Sequence, residues 1–173
     1  MERNWSEVRS EVKDFVENEV YPAEPILEKR DDESSKKLSE LMQLAKDKNL
    51  WALGHPKDIG GQGMPFMEYV YVNEVVGRSS PSMVALGTHS LQDSIMLREF
   101  ASKRWRDTYL EPLVAGEIFP SFAMTEPDIS SSDPTQLQTT AILDGDEWVI
   151  NGRKWFTTGA CLLYTSPSPR DPD

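Results

Sequence analysis

The side chains able to do chemistry are few and gather late in the chain. Hydroxyls cluster at Thr125, at Ser130-Ser131-Ser132 and at Thr157-Thr158, with the carboxylates Glu126 and Asp133 beside the first two groups. A hydroxyl both donates and accepts, so any of them can hold a ligand. Each also has a plainer use: threonine favours strands, and a Ser-Ser-Ser-Asp run makes a polar turn or a helix cap. Glu126 offers itself as a base, yet beside Pro127 it reads better as a structural group of a turn. His55 and His89 are the only histidines, and they read as satisfied surface or interface groups. Neither has a cysteine at ligand spacing, which sets aside a zinc site. The same scarcity sets aside a triad hydrolase.

The elements that must position these groups are bounded by composition. With 173 residues the chain has room for one ordinary domain, or one and part of a second. A hydrophobic content of 38% is enough for a core. The net charge of -11 argues against nucleic acid or an anionic membrane as a partner. Any contact with phosphate must therefore be local. Cys161 is the sole cysteine, so no internal disulfide can form. No apolar run approaches the length of a membrane span. The start of the chain lacks the basic-then-apolar order of a secretory signal, which makes a cytoplasmic location the default expectation.

Up to residue 118 the texture is helical. Trp5, Val8, Val12, Phe15 and Val16 share a face, with Asn4 and Glu7 as the cap; Tyr21-Pro22 is expected to end that helix. Leu38, Leu41, Met42 and Ala45 mark a second helix opening near Ser34 or Ser35. The glycine-rich run Gly60-Gly61-Gln62-Gly63 follows no expected strand, so it is a helix connection rather than a phosphate loop of the dinucleotide-binding kind. Pro65 is expected at the first position of a third helix that ends at Gly77. A fourth follows Ser80-Pro81 through Leu91 and Leu97, and a fifth carries Trp105, Tyr109, Leu110 and Leu113 to Gly116.

From Phe119 the pattern turns to strand. Residues 119–124 are short and apolar, 139–143 alternate, and Glu147-Trp148-Val149-Ile150, Asn151-Gly152 and Lys154-Trp155-Phe156-Thr157 read as a hairpin, because Asn-Gly suits a type I′ turn. The fold class expected is α+β: an N-terminal all-α bundle followed by the first strands of an incomplete antiparallel β domain. The boundaries are 1–118 for the helical domain, 119–160 for the partial β domain and 161–173 for a tail. That tail holds three prolines in its last seven residues. It resembles the translation of a sequencing adapter, so it is read as non-native or disordered and set outside the functional argument.

Five segments in order then resemble the acyl-CoA dehydrogenase family. They are Trp51-Ala52-Leu53-Gly54-His55-Pro56 with the glycine-rich turn, Glu74-x-x-Gly77-Arg78, Tyr109-Leu110-x-Pro112-Leu113-x-x-Gly116-Glu117, Phe122-Ala123-Met124-Thr125-Glu126-Pro127, and Ile150-Asn151-Gly152-Arg153-Lys154-Trp155-Phe156-Thr157-Thr158-Gly159. The resemblance covers about residues 5–160. It implies a helical N-terminal domain, a middle β domain and a C-terminal helical domain, with FAD held between them. It implies α,β-dehydrogenation of an acyl-CoA thioester: a carboxylate takes the α-proton, the β-hydride passes to flavin N5, and electrons leave to an electron-transfer flavoprotein.

Carried over residue by residue, the resemblance makes Phe122, Met124 and Thr125 an apolar shelf with a hydroxyl at the isoalloxazine edge. Donors there suit a ring that gathers charge as hydride arrives. Phe156 stands where the family usually has tryptophan; Thr157 contributes through its backbone and Thr158 through its hydroxyl. Ser132 matches the serine that touches the acyl-CoA and the flavin pyrophosphate. The turn Asp128-Ile129-Ser130-Ser131-Ser132-Asp133 is one residue longer than the commoner form, which keeps Ser131 as a competitor. The catalytic glutamate belongs to a C-terminal domain outside these residues, so the chain alone is expected to bind FAD weakly or not at all and to be inactive. A homo-oligomeric parent enzyme is the expectation by analogy. Related acyl-CoA oxidases, nitroalkane oxidases and flavin monooxygenases share the shelf. A non-enzymatic helical interaction domain with a short β arm is the alternative of another class.

Overall fold

The structure is a computed structural model that describes residues 3–157. It divides into two compact units, Met1–Phe119 and Pro120–Asp173.

The first unit is helical. Helix α1, Trp5–Phe15, opens at Asn4, whose side chain accepts from the Ser6 N–H and donates to Glu7. Val8, Val12 and Phe15 form its buried face. The expected stop at Tyr21-Pro22 is not observed. A π-helical turn, Val16–Val20, leads into α2, Tyr21–Leu27, with Pro22 in its first turn. A second π turn, Arg106–Leu110, joins α7 (Lys103–Trp105) to α8 (Glu111–Ala115), again with a proline, Pro112, in the first turn of the following helix. A proline in a regular helix removes an N–H and presses its ring on the carbonyl four residues back. The wider π turn shifts that carbonyl out of register, so each proline is accommodated where the helix restarts.

Helix α3, Asp32–Asp47, is capped by Asp31 rather than by a serine; its carboxylate accepts from Ser34 N at 2.9 Å. Helix α4, Phe66–Val76, has Pro65 as its extended N-cap and ends at Gly77. The expected fourth helix is two: α5, Ser80–Ala85, and α6, Leu91–Phe100. Gly87 separates them at φ +69, and a Cβ there would lie 2.7 Å from the Trp51 indole. The break exists because the chain must cross that ring closely in a left-handed conformation, which only glycine takes without strain. Helix α1 packs on α4, α2 on α3, and α3 on α5. Between them lie Val8, Val12, Val16, Val20, Leu41, Val72, Val75 and Val76, all nearly inaccessible. Burial of each such side chain stabilises by about 1.5–3 kcal/mol before entropy is counted.

A loop completes this core. Leu50, Ala52, Leu53 and His55 are each 1% exposed and lie outside any helix. A buried loop needs partners for its backbone, and the glycine-rich turn supplies them. Gln62 N, Met64 N and Gly63 N donate to the carbonyls of Ala52, Leu53 and His55, and the Gln62 amide donates to Trp51 O and Asn49 O. A side chain at Gly61 would sit 2.2 Å from the His55 carbonyl, so the approach is backbone on backbone. Trp51 Nε1 donates to Val114 O at 2.8 Å, tying the loop to α8.

The expectation of surface histidines is corrected here. His55 is buried and its Nε2 lies 3.1 Å from Ser90 Oγ. Burial first, and His89 second, push its pKa down to about 4, so it is a neutral core group. His89 stacks on Phe119 with centroids 5.3 Å apart.

The second unit carries an antiparallel hairpin, β1 Thr140–Asp144 and β2 Glu147–Asn151. Thr140 pairs with Asn151, Ile142 with Val149 and Asp144 with Glu147. Its turn is Gly145-Asp146, not the expected Asn151-Gly152. Gly145 sits at φ +61 while Asp146 stays at negative φ, the sign pattern of a type II′ turn, which demands glycine first. Asn151 instead closes β2. Lys154, Trp155 and Phe156 form no strand among the described residues, and of residues 119–124 only Phe122 makes a β-bridge.

Candidate functional site

The chemistry-bearing residues of the second unit are gathered by one buried carboxylate. Glu126 is 5% exposed. It accepts from Gln138 N at 2.7 Å, from Thr139 N at 2.9 Å and from Lys154 Nζ at 2.8 Å. The Lys154 ammonium also donates to Met124 O at 2.9 Å. Trp155 N donates to Thr125 O at 3.1 Å. Two segments nearly thirty residues apart are therefore laced together at Met124, Thr125 and Glu126.

Electrostatics agree with the geometry. The Lys154 ammonium first, and the Thr139 and Gln138 contacts after it, hold the Glu126 carboxyl at about 2, well below the ordinary 4.5. An acid so stabilised in its ionised form is a poor proton acceptor. The geometry agrees with its structural reading, and its partner Lys154 is the residue of this network that sequence reasoning did not single out. No spacing rule reveals a pair separated by so much chain; only the opposite charges within the two motif segments hinted at it.

The hydroxyls fall into two kinds. Ser131 Oγ accepts from Glu126 N at 2.8 Å and donates back to Glu126 O at 3.3 Å, so it is committed to the turn. Ser132 is exposed and makes no hydrogen bond among the described residues. Asp133 caps the short turn Pro134–Gln136 through Thr135 N at 3.0 Å and Thr135 Oγ1 at 2.6 Å. The hydroxyls of Thr125 and Thr157, both half-buried, likewise have no partner among the described residues. Around them stand exposed Phe122 at 45% and Phe156 at 79%, with Met124 half-buried.

Phe156 has φ +50, the left-handed region. An aromatic residue held there carries strain of order 1–3 kcal/mol. Its ring rests on Trp155, centroids 4.9 Å apart. Phe122, Met124, Thr125, Ser131 and Ser132 thus belong to one laced segment, and Phe156 and Thr157 to the segment tied to it. Thr158 lies outside the described residues. The arrangement can offer free hydroxyls and apolar area to a flat ligand, and among the described residues it holds no ionisable group poised for proton abstraction. Among the described residues no cluster of His, Cys, Asp or Glu could hold a metal ion, and no helix is long and apolar enough to cross a membrane.

Comparison with known proteins gives both units of the chain a family match. The family model for the acyl-CoA dehydrogenase N-terminal domain matches residues 4–117, and that for the middle domain matches residues 121–165. Acyl-CoA dehydrogenase family member 11 of Gallus gallus is 32% identical over 169 residues, covering 91% of this chain and 21% of that protein. An acyl-CoA dehydrogenase structure from Mycobacterium abscessus superposes with a TM-score of 0.79 at 32% identity, over 90% of this chain and 42% of that one. A Bacillus anthracis acyl-CoA dehydrogenase complexed with FAD gives 0.65 at 26% identity, over 89% and 26%. The chain spans between a fifth and a half of these relatives' lengths. Matched across both of its units, it belongs to the acyl-CoA dehydrogenase family.

Proposed function

We propose that this chain supplies the flavin-facing shelf of an FAD-dependent acyl-CoA dehydrogenase, and that its parent enzyme performs α,β-dehydrogenation of an acyl-CoA thioester. The observation that carries this reading is the Trp155 N–H donating to the Thr125 carbonyl. It sets the two family motifs side by side with their free hydroxyls nearby. The FAD of the Bacillus anthracis relative supports the choice of cofactor.

The residues present fit that group. Thr125 and Thr157 offer hydroxyls without a partner among the described residues, Phe122 and Phe156 exposed rings, and Met124 a soft apolar contact. FAD, when bound, supplies the hydride acceptor for the reaction. This chain's part is positional. Thr125 and Thr157, with Thr158 as expected from the motif, donate to the polar edge of the flavin. Phe122, Met124 and Phe156 cover its apolar faces and keep water out. Ser132 is the serine left free to meet the acyl-CoA and the pyrophosphate, whereas Ser131 spends its hydroxyl on the turn. Glu126 is held ionised by three donors and does not abstract the α-proton; the base lies outside the described residues. An electron-transfer flavoprotein as acceptor and a homo-oligomeric parent rest on the family resemblance.

The test is the purified parent protein. The reading expects a visible flavin absorption that bleaches on addition of acyl-CoA, and weakened flavin retention in Thr125→Val. A parent protein that purifies colourless and takes up no added FAD overturns it.

A further inference from the structure

The helical unit holds a second site, unrelated to the flavin shelf. A cleft of about 680 Å³ is lined by Arg3, Lys46, Lys48, Asn49, Gln62 and Trp51, among others. Among the described residues its walls carry three cations against one carboxylate, Glu11. That is a local reversal of sign in a chain whose net charge is -11. Fields from so acidic a surface repel anions, so a convergence of this kind is informative about what can enter.

Two of the cations are held in place beforehand. The Arg3 guanidinium donates to Asn49 O at 2.6 Å and to the Gln62 side-chain carbonyl, and it pairs with Glu11 at 3.4 Å. Gln62 is itself fixed by Asn49 O and Trp51 O, each at 2.8 Å. Lys46 donates to Ala115 O at 2.8 Å and lies 4.7 Å from the centre of the Trp51 ring. A guanidinium has five N–H groups and an ammonium three, so both keep donors to spare. The Lys48 ammonium makes no hydrogen bond or ion pair among the described residues, leaving its whole charge available. Side chains fixed in advance lose little entropy on binding. Several donors around one cleft suit a multiply charged tetrahedral oxyanion better than a single carboxylate.

We propose that this cleft binds a small polyvalent oxyanion of the phosphate class. The test uses the 173-residue chain and isothermal titration at constant ionic strength. The probes are inorganic phosphate, pyrophosphate and ADP. Saturable binding is expected, tighter for pyrophosphate and ADP than for phosphate because they carry more charge. ADP binding above pyrophosphate assigns the site to a phosphate ester, and the reverse order to free polyphosphate. Lys48→Met, at an ammonium with no partner among the described residues, weakens binding about two- to fivefold, as expected for one lost surface charge contact. Arg3→Gln weakens it as well. Lys103→Met, which removes an exposed charge paired with Asp107 on another helix, leaves it unchanged. Absence of saturable binding for all three probes overturns the proposal. So does an equal loss in Lys48→Met and Lys103→Met, which would reduce the effect to net charge.

Discussion

The buried imidazole of His55 makes a quantitative prediction about acid stability. In the unfolded chain a histidine titrates near 6.5, and in the fold His55 is held at about 4, by burial first and by His89 second. The folded form therefore binds fewer protons between those values, so stability is fully present above the unfolded pKa and is lost as pH falls through the folded one. At about 1.4 kcal/mol per unit, the full difference is worth about 3 kcal/mol, and about 2 kcal/mol of it is spent between roughly pH 7.5 and pH 5. With a denaturant slope of about 1–3 kcal/mol per molar, the urea midpoint should drop by about 1 M over that interval from this residue alone. His55→Phe keeps a ring of similar size and removes the titration. It lowers stability at neutral pH, since the Ser90 hydroxyl keeps Gly87 O but loses the His55 ring as a partner, but its midpoint should change less with pH than that of the unaltered chain. If the two proteins differ by the same amount at both pH values, the buried neutral histidine is refuted.

Three further outcomes follow from other parts of the structure. Gly87→Ala forces a left-handed alanine whose Cβ would lie 2.7 Å from the Trp51 indole, so strain and overpacking together should cost about 2–5 kcal/mol in chemical unfolding. Gly145→Ala, at φ +61 with nothing within 4 Å, should cost only the conformational part, about 1–2 kcal/mol; equal losses would refute the close approach. The Glu126 knot should survive mild acid, because a carboxyl held at about 2 keeps its stabilising effect above the ordinary 4.5 and loses it only as pH falls through that lower value. Amide exchange at Gln138 and Thr139 reads it directly: protection should persist at about pH 4, whereas Glu126→Gln should expose both amides even at neutral pH. Finally, the 173-residue chain mixed with acyl-CoA and a dye acceptor should show no substrate-dependent reduction, and measurable turnover would contradict the assignment of the base to residues beyond those described.

How much of this was legible in the sequence depended on the range of the interaction. Amphipathic spacing found α1 and α3 because their buried faces repeat locally, as with Val8, Val12 and Phe15, whereas α4, whose Phe66 and Val70 are exposed, was marked by Pro65 and Gly77 at its ends. The proline rule failed at Pro22 because a π turn, which has no sequence signature of its own, absorbed the clash. The split between α5 and α6 at Gly87 was hidden because its cause, the Trp51 ring, lies far away in sequence. The hairpin was expected with the right strand β2 and the wrong turn. Asn151-Gly152 and Gly145-Asp146 are both good turn pairs, and what decides between them is the register with Thr140–Asp144. The shelf residues came from motif resemblance. The lacing that holds them, Glu126 with Lys154 and Ser131, is tertiary and was invisible to any local rule.

A structure of the FAD-loaded parent protein examines the shelf most directly. The Thr125 hydroxyl and the Thr157-Thr158 pair should lie within hydrogen-bond reach, about 3 Å, of the same isoalloxazine ring, with Phe156 against it. A flavin seated elsewhere, or these hydroxyls turned to opposite sides of the laced segments, would contradict the account.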